Sequence, residues 1–367
     1  MSENKSKKIC IAIHGLAYTG AERVAAAWAN YLTQQGHRVS VMVYAHSDDT
    51  YDLHEQVRVI PLAETREAYF ELSKLAQLCR IRKVIRQEKP QVLISFLPKM
   101  QISVMLATLG MKIKRLETVR NNPWIDTDVS GKRFLWNLCF RRSNAILVQT
   151  GEQSEYFPEK LQRKCQVISN PISDRFSAQQ KQYVREKATR FVAVARINTQ
   201  KNYPMMIRAF AQAVKHDPSC TLDIYGAGSA EKIQSTQALI GQLGMENNIH
   251  LRGWRRDISD ILTQYDAFLM SSNYEGMPNA LAEAMAAGLV CLSTDCKTGP
   301  KDMICSGTNG ILAKTANADS FAEGITSILN MDQQQLAQMG ARARESILEM
   351  CSEENTLSRL NRLIERL

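Results

Sequence analysis

Two successive series of short apolar runs, each followed by a segment of helical period, constrain this chain more than any other feature. Lys8-Ile9-Cys10-Ile11-Ala12-Ile13 is a buried-strand run, and Gly15 to Gly20 is a turn-rich loop. Glu22 to Gln34 then sets Val24, Trp28, Tyr31 and Leu32 at helical spacing. Strand signatures recur at Val39 to Val43, Val57 to Leu62, Val92 to Phe96, Leu116 to Val119 and Ala145 to Gln149. The cycle restarts after Pro171, with strands at Thr189 to Ala195, Thr221 to Tyr225, Asn248 to Arg252, Ala267 to Ser271 and Val290 to Thr294. Helical segments fall at Tyr203 to Lys215, Ala230 to Leu243 and Ala280 to Ala287, and Met331 to Leu367 reads as wholly helical. Strands alternating with helices form parallel sheets covered on both faces. The expectation is an α/β chain of two Rossmann-like, doubly wound domains facing a cleft, spanning 1–172 and 173–349.

Length agrees, since 367 residues exceed what one core usually supports. A hydrophobic fraction of 44% and a charged fraction of 23% are ordinary for a globular protein. No run approaches the roughly 18–20 apolar residues that span a bilayer. Ile102 to Leu109 is interrupted by Ser103 and Thr108 and reads as a buried helix, and the short run after the N-terminal lysines reads as a first strand rather than a signal segment. Nine cysteines without a CxxC pair suggest neither a zinc site nor a disulfide framework; they fit a reducing, cytoplasmic setting. The net charge of +9 is unevenly placed: residues 1–175 hold 26 Lys and Arg against 17 Asp and Glu, and residues 176–367 hold 20 of each. A basic half-molecule points to a nucleic acid, an anionic membrane face or a phosphate-bearing substrate.

The most informative stretch is Ser272-Asn273-Tyr274-Glu275-Gly276-Met277-Pro278-Asn279-Ala280-Leu281-Ala282-Glu283. A strand feeds a Gly-Met-Pro-Asn loop that opens a helix, and backbone N–H groups at such a start receive anions. Glu275 precedes the loop and Glu283 lies one to two turns into the helix, so two carboxylates flank a phosphate-ready site. Taken alone, the pattern is equally that of an ordinary helix start with solvated glutamates. In Arg196-Ile197-Asn198-Thr199-Gln200-Lys201, directly after a strand, an Arg fork and a Lys point charge suit a diphosphate. Neither Gly15 to Gly20 nor Gly226-Ala227-Gly228 completes the GxGxxG fingerprint, so no nicotinamide or flavin cofactor is expected.

Taken in order, Gly20-Ala21-Glu22-Arg23-Val24, Ser169-Asn170-Pro171, Arg196…Gln200-Lys201-Asn202, Gly226-x-Gly228 and Glu275-x7-Glu283 resemble the retaining glycosyltransferases of family 4. These share the two-Rossmann GT-B fold, and the resemblance covers essentially the whole chain. Ser293-Thr294-Asp295-Cys296-Lys297-Thr298-Gly299-Pro300-Lys301 is most like bacterial members that build surface polysaccharides or lipid-linked oligosaccharides. The resemblance implies that a tail helix, 350–367, completes the first, acceptor-binding domain, and that the second binds the donor nucleotide. It gives Arg196 and Lys201 to the donor diphosphate, Glu283 to the ribose and Glu275 to the transferred sugar. Backbone at Gly276, Met277, Pro278 and Asn279 holds sugar and phosphate, Gly20 lets its loop close on the diphosphate, and Gly253 and Trp254 lie beside the base. Many relatives carry a His after the strand corresponding to Leu116 to Val119. Here Arg120 and Asn121 stand in that region, with His14 after the first strand as the other residue to test. Asp126-Thr127-Asp128 matches a DxD metal motif but sits in the wrong domain for that work, and no cluster has metal-ligand spacing.

The expected activity is a metal-independent, retaining transfer of a hexose or N-acetylhexosamine from a nucleotide-sugar, itself a substrate rather than a cofactor. The expected acceptor is a growing glycan, either free or lipid-linked. The basic segment Lys74 to Lys89 reads either as a membrane-surface helix or as a solvated helix packed on the sheet. Two rivals stand beside this: a sugar-nucleotide epimerase of the same architecture, and a basic nucleic-acid-binding protein, which lacks any recognition motif.

Overall fold

The computed structural model describes residues 6–17, 19–47, 50–125, 131–178 and 180–367. The chain divides into two compact units: Met1–Pro171 with Glu354–Leu367, and Ile172–Glu353.

In the first unit the order is β1 (Lys8–Ala12), α1 (Gly20–Gln34), β2 (Arg38–Ala45), β3 (Arg58–Ala63), α2 (Arg66–Glu71), α3 (Lys74–Glu88) and β4 (Val92–Ser95). It continues through α4 (Pro98–Ala107), β5 (Lys114–Thr118), α5 (Arg133–Arg142), β6 (Ala145–Val148), α6 (Gly151–Ser154), α7 (Glu159–Gln162) and β7 (Cys165–Val167). The second unit holds α8 (Asp174–Ala178), β8 (Arg190–Val194), α9 (Tyr203–Ala213), β9 (Thr221–Tyr225), α10 (Ala230–Gln242), β10 (Ile249–Gly253) and α11 (Ile258–Leu262). It goes on with β11 (Ala267–Met270), α12 (Asn279–Ala286), β12 (Val290–Thr294), α13 (Pro300–Met303), β13 (Ile311–Ala313), α14 (Ala318–Leu329) and α15 (Gln333–Cys351), after which α16 (Glu353–Arg366) returns to the first unit.

The first sheet runs β3-β2-β1-β4-β5-β6-β7 and the second β10-β9-β8-β11-β12-β13, with the paired strands parallel. Both orders reverse at a switch point, between β1 and β4 and between β8 and β11. In open parallel sheets ligands sit outside the carboxyl ends of the strands at such a point. The strands read as apolar runs because both faces are covered. In the first unit Trp28, Leu32, Leu357, Leu360 and Ile364 pack one face, placing α1 and α16 there, and Ile81, Ile85, Val104, Trp136 and Phe140 of α3, α4 and α5 pack the other.

The structure amends three sequence expectations. The tail is two helices, because the chain leaves α15 at Ser352, which is extended (φ −56°, ψ 147°), before α16 begins. Strands β7 and β13 were not foreseen; at three residues each they are too short for a period to register. The helix from Tyr203 closes at Ala213 and tightens into a 3₁₀ turn over Val214–His216.

Candidate active site

In the second unit, the loops leaving β8 and β11 flank the switch point, and a dense set of hydrogen bonds ties them together. Ser271 Oγ donates to the Lys201 carbonyl (2.7 Å), Asn273 N to the Gln200 carbonyl (2.8 Å) and Asn202 Nδ2 to Asn273 Oδ1 (3.0 Å). Asn202 turns the first loop into α9 with a left-handed backbone, φ 47°, a conformation Asn tolerates better than most residues. Such cross-bonding fixes Lys201 relative to Glu275. Lys201 Nζ donates to Glu275 Oε1 at 2.5 Å, Ser272 Oγ donates to the same oxygen at 2.6 Å, and Gln200 Nε2 reaches Oε2 at 3.4 Å. Glu275 is buried, at 6% exposure, so its charge is held by a cation and a hydroxyl in place of water. The sequence suggested separate tasks for Lys201 and Glu275; the structure joins them in one ion pair.

The glutamate's own loop is braced from a third strand. Thr294 Oγ1, at the end of β12, donates to the Ser272 carbonyl (2.6 Å), and buried Thr298 Oγ1 donates to the Glu275 carbonyl. Thr298 has φ 67° and Gly299 φ 93°. A Cβ on Gly299 would lie 2.7 Å from both the Gly276 carbonyl and Pro278 Cδ, so that glycine lets the two loops touch. Beyond them α12 begins at Asn279 with Pro278 at the N-cap and no side-chain cap. A helix end without a capping side chain favours an anionic partner. Glu283, within α12, is buried at 6% exposure, and Gly276, Met277 and Pro278 are buried as well.

Arg196 is exposed on the β8–α9 loop and makes no ion pair among the described residues. The loop's path explains Gly226 and Gly228: a Cβ on Gly226 would lie 1.9 Å from the Ala195 carbonyl, and one on Gly228 2.8 Å from the Ile197 carbonyl. This pair of glycines lets the backbone pack against the Arg196 loop. Gly253 ends β10 at a register shift with φ 72°, and its carbonyl accepts from Gly226 N at 2.9 Å. Trp254 follows with 55% of its surface exposed. Below them Asp223 accepts from Tyr265 Oη (2.5 Å) and from Arg252 Nε (3.0 Å) and lies 3.0 Å from His250 Nδ1. The sequence reading assigned no role to Ser272, Gln200, Thr298 or the Asp223 cluster. The polar residues after β8, β11 and β12 were the available signal for the first three.

The remaining candidates lie in the first unit. Gly20 is the first residue of α1, capped by a reciprocal box in which Thr19 N donates to Glu22 Oε2 (3.1 Å). His14, just past β1, stacks on Tyr44 with ring centroids 4.9 Å apart. Arg120 lies over Trp28 and Phe96, at 4.4 and 4.9 Å from their centroids, and donates from Nη1 to Asn170 Oδ1 (3.0 Å). Burial lowers its pKa to about 9, so it stays charged near neutrality. Gln149 Nε2 reaches the same Asn170 oxygen at 2.8 Å, and the Asn121 carbonyl accepts from Gln153 Nε2 at 3.2 Å. Arg120 and Asn121 thus belong to a hydrogen-bonded cluster ending at Asn170. Three residues before Arg120, both carboxylate oxygens of fully buried Glu117 find no hydrogen-bond partner among the described residues, and burial pushes its pKa up to about 8. Asp126-Thr127-Asp128 lies outside the described residues; among those described, no group of three His, Cys, Asp or Glu could hold a metal ion.

A depression of about 490 Å³ lined by Lys7, Gln91, Lys112, Lys114 and Asn144 lies at the amino edge of the first sheet. That is the end opposite to where parallel sheets bind ligands.

Two family models match in tandem: Glycosyltransferase Family 4 over residues 18–176 and Glycosyl transferases group 1 over residues 174–346. The chain belongs to the family 4-like glycosyltransferases of the GT-B fold. It is 27% identical over 258 residues to an uncharacterized glycosyltransferase of Methanocaldococcus jannaschii, covering 64% of this chain and 63% of that one. It is 24% identical over 330 residues to a Campylobacter jejuni α-1,4-N-acetyl-D-galactosaminyltransferase named for a GalNAc-bearing diNAcBac-PP-undecaprenol, covering 88% and 89%. Among solved structures, Anabaena HepE in complex with UDP and glucose superposes with a TM-score of 0.80 at 16% identity, covering 98% of this chain and 100% of that one.

Proposed function

We propose that this glycosyltransferase moves a hexose or N-acetylhexosamine from a UDP-sugar to a growing, lipid-linked glycan of a bacterial surface polysaccharide, with retention and without a metal ion. The observation that carries the reading is the Lys201–Glu275–Ser272 cluster beside the uncapped start of α12. Arg196 and Lys201 neutralise the departing diphosphate together with the N–H groups of α12. Glu283 holds the ribose, and Glu275 supports the sugar as positive charge grows at its anomeric carbon. The pair also places a cation against Glu275 before the donor arrives. The Campylobacter relative's named substrate supports a lipid-linked acceptor. The first unit binds that acceptor, with His14 and the Arg120–Asn121 segment beside it, and meets an anionic membrane at the cytoplasmic face. Nucleic acid is not a partner on this reading.

The test is incubation with a panel of UDP-sugars, reading UDP release with and without extracted lipid-linked acceptor, in EDTA and in added manganese. Acceptor-dependent release that survives EDTA is expected. Loss in EDTA restored by manganese would overturn the metal-free reading, and a change in the donor sugar without any acceptor would favour an epimerase. Retention is read from the anomeric configuration of the product.

A further inference from the structure

The last helix carries a row of arginines that the proposed chemistry does not use. Arg359, Arg362 and Arg366 stand at i, i+3 and i+7 on α16, are exposed, and form no ion pair among the described residues. Like charges three and four residues apart on a helix repel one another, so the row costs α16 stability. Glu353 and Glu354 lie off the row, and Glu365 is engaged by Asn361 Nδ2 at 2.9 Å rather than by an arginine. The row borders a hollow. All three arginines line, with Gln166 and Val167 of β7, a depression of about 250 Å³. Strand β7 ends the first sheet, so its outer edge holds backbone groups with no strand partner, and Val167 is 44% exposed there. Among the described residues no carboxylate lines this depression. The basic depression beside β2 differs, because it contains Glu88, which is tied to Arg58 at 3.0 Å.

The hollow runs away from the acceptor side. Lys7 Nζ, just before β1, donates to the Ile364 and Glu365 carbonyls (2.7 and 3.0 Å), so α16 ends at the amino edge of the sheet. His14, Arg120 and Asn121 follow strand ends at the opposite, carboxyl edge. A guanidinium offers a planar fork of donors that matches phosphate oxygens. Arg359 and Arg366 lie roughly 10 Å apart along the helix axis, and their long side chains can converge on a short chain of phosphates. The volume falls below the roughly 300–1,000 Å³ of pockets that enclose a whole small-molecule ligand, so a compact group fits. We infer that the groove between α16 and β7 is a binding site for a compact polyphosphate group, separate from the donor site. The bound anion supplies the counter-charge that the row lacks and fastens the last helix to the edge of the sheet.

The probe is inorganic triphosphate against sodium chloride of equal ionic strength, followed on the full chain by calorimetry and hydrogen exchange. Protection of residues 353–367 and 163–169 by triphosphate, and not by chloride, is expected. Arg362→Gln weakens binding there roughly tenfold, the cost of one charge-assisted bond, and Arg359→Gln, Arg362→Gln and Arg366→Gln together abolish it. Arg362→Lys keeps the charge without the fork and falls between wild type and Arg362→Gln. Without the anion the triple variant melts at or above the wild type, since its like charges are gone; with triphosphate the wild type melts higher. UTP that protects the same residues, and ceases to in the triple variant, identifies the phosphate tail of a nucleotide as the source. Triphosphate binding without UTP binding identifies the free anion. Unchanged affinity in the triple variant, equal protection by chloride, or protection confined to residues 196–201 and 275–283 would overturn the inference. So would tighter binding to phosphatidylglycerol vesicles or to an oligonucleotide duplex than to triphosphate. The groove needs neither donor nor acceptor, so absence of UDP release with protection of residues 353–367 intact would refute the proposed activity alone.

Discussion

The Lys201–Glu275 pair makes a prediction in which stability and activity part company. The two side chains are 17% and 7% exposed and meet at 2.5 Å, so each is largely desolvated and neutralised by the other. Removing one partner of a buried pair costs about 3–5 kcal/mol, chiefly because the survivor is left charged without compensation. With Lys201 partly open to water, the lower end applies, about 3 kcal/mol for Lys201→Met or Glu275→Gln. For a unit of this size that lowers the melting temperature by roughly 6–12 °C. The double variant leaves no unpaired charge, so its melting temperature should return most of the way to wild type. Activity should behave differently. If both groups act on the donor, each single change costs about 2–4 kcal/mol in the transition state, and the double variant stays as slow as the worse single. Arg196→Ala is the control: it sits exposed outside the pair, so it should slow UDP release comparably while leaving the melting temperature unchanged. Calorimetry and steady-state UDP release on the four variants decide the matter. Recovery of activity along with stability in the double variant would show that the pair only props the loop. A double variant that melts at the sum of the two single losses would show that charge balance is not what the pair supplies.

Three further outcomes follow from the geometry. Glu283→Gln should raise the donor KM with little change in kcat, because a contact to the unreacting ribose is equal in ground and transition states; a fall in kcat at constant KM would reverse the roles of the two glutamates. Gly226→Ala places a methyl 1.9 Å from the Ala195 carbonyl and should cost about 2–4 kcal/mol while displacing the loop that carries Arg196 and Lys201, visible as a lower melting temperature and a higher donor KM. Glu117 holds its proton to about pH 8 in the folded chain but only to about 4.5 when unfolded, so the folded state binds more protons between those values. Wild-type stability should therefore fall as pH rises through that window, and Glu117→Gln should be more stable than wild type by a few kcal/mol at pH 8 and nearly equal at pH 4.5; denaturant titrations that show no pH dependence in the difference would refute this.

What the sequence reveals about this molecule divides along a physical line. Strand runs such as Phe191 to Val194 and helix periods such as Val24-Trp28-Leu32 are local, because burial on a sheet face or helix stripe acts residue by residue. They therefore make the alternation, and with it the fold, legible. The position of Glu275 beside an α12 start is legible for the same reason. Its pairing with Lys201 is not, since 74 residues separate the two and only the adjacency of β8 and β11 brings them together. Thr298 is more hidden still. Its hydroxyl serves a backbone carbonyl, and such a partner leaves no complementary side chain in the sequence. The incomplete fingerprint at Gly226 and Gly228 reports a packing constraint, a demand that a side chain be absent where two loops touch. A glycine pair cannot tell a nearby phosphate from a nearby backbone, because both exclude the same Cβ. Only the Ala195 and Ile197 carbonyls, standing where that Cβ would be, show that backbone demands the glycines here.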